Sequence, residues 1–138
     1  MIKKLMRLYQ NIQRRFFTMP CEPRYDVTVW SGSPEELHRK LAPLGWGIND
    51  FSLYEKGQLL TLRKLDDIGH QYHLRLVKVK LDNKKSINMI RCHWEPSWSE
   101  FPWEHEHGVS RPLTKLEKEQ FCKILTGQLL PKIPTLYP

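Results

Sequence analysis

The sequence predicts a single α+β domain, an antiparallel sheet of about five strands packed with two or three helices, and three observations predict it. Apolar periodicities run in the order helix, strand, helix, four strands, helix. Consecutive strands are joined by short turns, which favours antiparallel pairing backed by helices. The chain has 138 residues, 27% charged and 40% hydrophobic, a size and composition that suit one folded core. The expected division is a basic amphipathic helix over 1–19, the domain over 20–130 and a tail over 131–138, where three prolines fall within eight residues.

In residues 2–17, Ile2, Leu5, Met6, Tyr9, Ile12 and Phe16 recur at helical spacing while Lys3, Lys4, Arg7, Arg14 and Arg15 lie elsewhere, with no acid before Glu22. Three readings fit such a helix: docking on the core, peripheral contact with a membrane or nucleic acid, or a mitochondrial-type presequence, against which stands the absence of serine. Met19-Pro20-Cys21-Glu22-Pro23 reads as a linker, and Tyr25–Trp30 as a strand. Ser33-Pro34-Glu35-Glu36 reads as a capping box, with Ser33 as N-cap, Pro34 at the first helical position and Glu36 reaching back. Leu37, Leu41 and Leu44 then give a core-facing stripe, closed by Gly45 and Gly47.

Phe51–Tyr54 and Gln58–Leu65 flank Lys56-Gly57 and read as a hairpin. His70–Leu81 and Ser86–Trp94, joined by Asp82-Asn83-Lys84-Lys85, form a second hairpin. Thr114–Leu125 is the last helix, with a Thr114/Glu117 capping box and Gly127 at its end.

The formal charge of +7 favours a polyanionic partner, RNA in particular. Lys78, Lys80, Lys84 and Lys85, clustered in the second hairpin, are the expected phosphate contacts. Cys21, Cys92 and Cys122 are far apart, with no C-x-x-C, so neither a disulfide framework nor a thiolate zinc site is indicated and a reducing, cytoplasmic compartment fits. No run of 18 apolar residues is present.

The second hairpin changes phase midway. Its apolar set passes from Tyr72, Leu74 and Leu76 to Val77, Val79 and Leu81 on one strand, and from Ile87 and Met89 to Ile90, Cys92 and Trp94 on the other. With unbroken pairing, His73, Arg75, Arg91 and His93 share a face with Val77, Val79, Ile87 and Met89. A β-bulge in each strand instead sends the four polar groups to solvent.

Downstream, residues 93–108 hold three tryptophans, four glutamates and three histidines. His105 and His107 suit two ligands of a divalent metal, completed by His93 or a glutamate, although the expectation is that no cofactor is needed. The metal-free alternative is RNA cleavage by histidine acid–base catalysis with arginine on the phosphate, drawing on His73, Arg75, Arg91, His93, His105 and His107. A different class of function, a non-catalytic adaptor or inhibitor, would use Trp94, Trp98 and Trp103 to bind a protein partner.

Tyr72-His73-Leu74-Arg75-Leu76, then Arg91-Cys92-His93-Trp94-Glu95, then His105-Glu106-His107 ahead of the last helix resembles the TumE-like toxins of toxin–antitoxin systems. The resemblance covers residues 70–126 and departs from the family where Cys92-His93 stands in place of an Asp-Asn pair. It implies an RNA-directed ribonuclease toxin and a cognate antitoxin.

Overall fold

The computed structural model describes residues 2–16, 22–49, 52–99 and 110–127. It has three α-helices, α1 (Ile2–Phe16), α2 (Pro34–Leu41) and α3 (Lys115–Leu125). The strands are β1 (Asp26–Val29), β2 (Gly47–Ile48), β3 (Gln58–Leu65), β4 (Gln71–Lys80), β5 (Ser86–Glu95) and β6 (Arg111–Pro112). They form one antiparallel sheet in the order β1-β5-β4-β3-β2, and β6 also pairs with β5.

Local chemistry sets the helix ends. Ser33 Oγ accepts from the Glu36 N–H at 3.1 Å and Pro34 occupies the first turn. Gly45, with φ of 98°, turns the chain out of the short 3₁₀ segment that follows α2. At α3 the capping box closes in both directions between Thr114 and Glu117.

The β4–β5 register is continuous from Gln71↔Glu95 to Lys80↔Ser86. No bulge interrupts this pair, so the residues divide cleanly by parity. Leu74, Leu76, Ile90 and Cys92 face the helices and join Leu37, Leu41, Leu62, Trp46, Leu113, Phe121 and Leu125 in the core. On the opposite face His73, Arg75, Arg91 and His93 continue into Val77 and Met89. Toward the hairpin end the helix-side positions become Lys78 and Lys80, both exposed. The phase change thus marks where the core stops lining one face of the sheet and apolar residues take up the other.

Two expectations need correction. Residues 52–54 are not a strand, and the outer partner of β3 is Gly47–Ile48. The backbone groups a ladder would use are taken elsewhere: the Thr61 carbonyl accepts from the Asn49 N–H at 3.0 Å, and the Leu53 carbonyl accepts from the Arg75 side chain at 3.1 Å, while Ser52 Oγ bonds Thr61 Oγ1 at 3.0 Å. The reading of α1 as a helix docked on the core also needs narrowing: Ile2, Leu5, Leu8 and Ile12 are exposed, while Met6 and Tyr9 are half-buried. Among the described residues no helix is long and apolar enough to cross a membrane.

Candidate functional site

The polar face of β3, β4 and β5 is roofed by irregular chain. Tyr25, in a 3₁₀ turn ahead of β1, stacks on His93 with ring centroids 4.5 Å apart. Residues 52–55 lie over Thr61, Arg75 and Arg91 through Ser52, the Leu53 carbonyl and Glu55. The Ser99 carbonyl accepts from Gln71 Nε2 at 2.5 Å, and the Trp98 carbonyl accepts from Arg63. The result is a second, polar interior on the side of the sheet away from the core.

Within it the histidines form one cluster. His73 and His93 are directly opposed, with ring centroids 5.2 Å apart. Glu95 Oε1 lies 2.5 Å from His93 Nε2 and 3.9 Å from His73 Nδ1. The other ring nitrogen of His73, Nε2, is 3.0 Å from Thr61 Oγ1. Exposure is only 4% for His73 and 6% for His93.

The arginines are directly opposed as well but differently partnered. Arg91 Nε donates to Asp26 Oδ1 at 2.6 Å, and its Nη1 donates to the buried Glu55 carboxylate. Burial works against the Arg91 charge, yet those two carboxylates outweigh it and hold its pKa above the ordinary value. Arg75 donates through Nη2 to the Leu53 carbonyl, while its buried Nε has no hydrogen-bond partner among the described residues. Desolvation lowers the Arg75 pKa, only partly offset by the fields of Glu55, Glu22 and Glu95.

Of the six residues expected to carry catalysis, the structure brings together His73, Arg75, Arg91 and His93; His105 and His107 lie outside the described residues. Sequence reasoning had not assigned Asp26, Glu55, Thr61 or Tyr25 to the site, or given Glu95 its place beside both imidazoles. Glu95 was within reach, since a residue two positions beyond His93 on a strand must share its face. The other four arrive through register and loop path, which no local spacing encodes.

The remaining expected sites fall apart from this cluster. Lys78, Lys80, Lys84 and Lys85 are all exposed. None of the four makes an ion pair among the described residues. Trp94 is half-buried: its indole N–H donates to Asp66 at 3.2 Å, and the Arg111 guanidinium lies 4.8 Å from its ring centroid. Trp98 is 70% exposed, and Trp103 lies outside the described residues.

A separate cleft of about 330 Å³ lies between α3 and the β3–β4 turn, lined by Trp46, Ile68, Tyr72, Leu113, Glu117 and Phe121. Two of its polar groups are bonded to each other, Tyr72 Oη donating to Glu117 Oε2 at 2.5 Å, and Arg111 donates to Glu117 Oε1 at 2.8 Å. No protein-family model, curated protein or solved structure matches this chain.

Proposed function

We propose that this protein binds nucleic acid, RNA in preference, through the exposed end of the β4–β5 hairpin. The observation that carries the reading is the group of four exposed lysines, Lys78, Lys80, Lys84 and Lys85, held on a short rigid ribbon and unpaired among the described residues. Such groups exchange condensed counterions for phosphate contacts, the main source of affinity for a polyanion. The overall charge of +7 adds long-range attraction of the same sign.

The proposal stops at binding. In this conformation His73 and His93 are covered by Tyr25 and the 52–55 segment and committed to Thr61 and Glu95, so neither imidazole is offered to a ribose hydroxyl. A general base must reach the proton it removes.

Titrating a labelled single-stranded RNA by fluorescence anisotropy at several salt concentrations tests the reading. The expected result is binding that weakens steeply with salt. Changing all four lysines to glutamine should lower the affinity and reduce the logarithmic salt slope by up to about 3, given a slope of about −0.7 per phosphate contact on single strands. Unchanged binding in that variant, or affinity indifferent to salt, overturns it.

A second reading, an adaptor for a protein partner, draws on Trp98, whose 70% exposure leaves a large aromatic surface in water. Binding through Trp98 would survive high salt and be lost in Trp98→Ala.

A further inference from the structure

We infer that His73, His93 and Glu95 form a binding site for a divalent transition metal of the zinc class. The inference is independent of the nucleic-acid reading, because the lysine-bearing hairpin end and this cluster share no residue. Three lines of geometry and chemistry carry it.

The first is the placement of donor atoms. One ligand atom from each of the three residues lies within 4.8 Å of the other two, and all three side chains are buried. Zinc takes imidazole nitrogen at about 2.0–2.1 Å and carboxylate oxygen at about 2.0–2.2 Å, so neighbouring ligands around a tetrahedral ion sit roughly 3.4 Å apart. Glu95 Oε1 stands 2.5 Å from one imidazole nitrogen and 3.9 Å from the other, values that bracket that separation.

The second is the surrounding support. A ligating histidine is normally oriented by a hydrogen bond from its other ring nitrogen. For His73 that partner is Thr61 Oγ1, 3.0 Å from Nε2, itself fixed by Ser52 Oγ at 3.0 Å. The Nδ1 atom is thereby turned toward Glu95. His93 is fixed by stacking on Tyr25.

The third is charge. Around the imidazoles three carboxylates, Asp26, Glu55 and Glu95, accompany two guanidiniums, Arg75 and Arg91. Arg91 is occupied by Asp26 and Glu55. The carboxylates exceed the guanidiniums by one, so a cation at the histidines meets net negative surroundings. Two imidazoles and one carboxylate form the donor set of many zinc sites and leave a fourth position for water or a further ligand.

The test uses the full-length protein, stripped of metal by a chelator and dialysed, then titrated with Zn²⁺ by calorimetry and with Co²⁺ by visible spectroscopy. One ion per chain is expected, with the absorption of a tetrahedral cobalt centre and a thermal midpoint raised by several degrees at saturating zinc. Glu95→Gln and His93→Ala should each weaken binding at least tenfold, while His105→Ala/His107→Ala leaves it intact. Should His93→Ala fail to fold, the near-isosteric Glu95→Gln carries the comparison. No stoichiometric binding by the folded wild type overturns the site, as does binding kept in Glu95→Gln and lost in His105→Ala/His107→Ala. In those cases the cluster is a hydrogen-bonded histidine–carboxylate network alone.

Discussion

Arg75 and Arg91 stand directly opposite one another on β4 and β5, and the chain around them leaves one held by a carbonyl and the other locked between two carboxylates. Cutting Arg91 to alanine strands Glu55, which is 1% exposed, as an uncompensated buried charge. The expected loss is about 3–5 kcal/mol of unfolding free energy. Arg75→Met should cost less, because it removes a desolvated guanidinium that makes no ion pair among the described residues and feels its carboxylates only at longer range. Urea unfolding of the two variants checks the order, and an equal or reversed cost would refute this account of the pair.

Acid should destabilise the fold through Glu117. Burial pushes its pKa up, but the Arg111 guanidinium, the Thr114 N–H and the Tyr72 hydroxyl outweigh that and leave it below the ordinary 4.5. A carboxyl lowered in the folded state contributes stability that is complete above its unfolded value and lost as pH falls through its folded value. The loss should therefore begin below about pH 4.5. Asp66, also lowered despite partial burial by the His70 and Ile68 N–H groups and the Trp94 indole, acts in the same direction. Unfolding midpoints measured from neutral pH downward should fall, and Glu117→Gln should be weaker at neutral pH with a shallower acid dependence.

Gly57 should tolerate no side chain. Its φ is 86°, and a Cβ there would lie 2.6 Å from the Lys78 carbonyl oxygen. Gly57→Ala is expected to cost about 1–3 kcal/mol. Gly69, also at positive φ but with open space around it, isolates the backbone part of that penalty. Thermal unfolding of both alanine variants should show the larger loss at Gly57.

Leu5 and Leu8 of α1 should be dispensable for stability, since both are exposed. Leu5→Glu/Leu8→Glu is expected to stay within about 0.5 kcal/mol of the parent per site. A loss of several kcal/mol would mean that the apolar stripe is covered by the fold after all.

Local rules made much of this architecture legible. The Thr114/Glu117 capping box and the Ser33-Pro34 helix start lie within one turn and were legible, except that the box at Ser33 closes in one direction only: Ser33 accepts from the Glu36 N–H, and no bond back from the Glu36 side chain is present among the described residues. The long β4–β5 pair was also readable, because two strands of matched length flank one turn. Its phase change left unbroken pairing and paired bulges as equal alternatives, and only the register decided between them. β2 and β6, two residues each, carry too little periodicity to announce themselves. Phe51–Tyr54 looked like a strand by composition, but the part that is described gives its polar groups to Thr61 and Arg75 instead. Amphipathicity fixed α1 as a helix without telling what its apolar face meets. For the site, alternation put the two histidines and two arginines together. Glu55 and Asp26 reach Arg91 from 36 and 65 positions away, a distance over which sequence spacing is mute.

The outer edge of β5 is shared: β1 pairs along Met89–Arg91, and β6 takes His93 and Trp94. One partner strand, β1, is synthesised before β5, and the other, β6, only after it, once the chain has been extended past Pro112. A nascent or truncated polypeptide ending between those points carries a half-sealed ribbon with free amides and carbonyls, the kind of surface that recruits another copy of itself. Sealing this edge of β5 therefore waits for residues made after it.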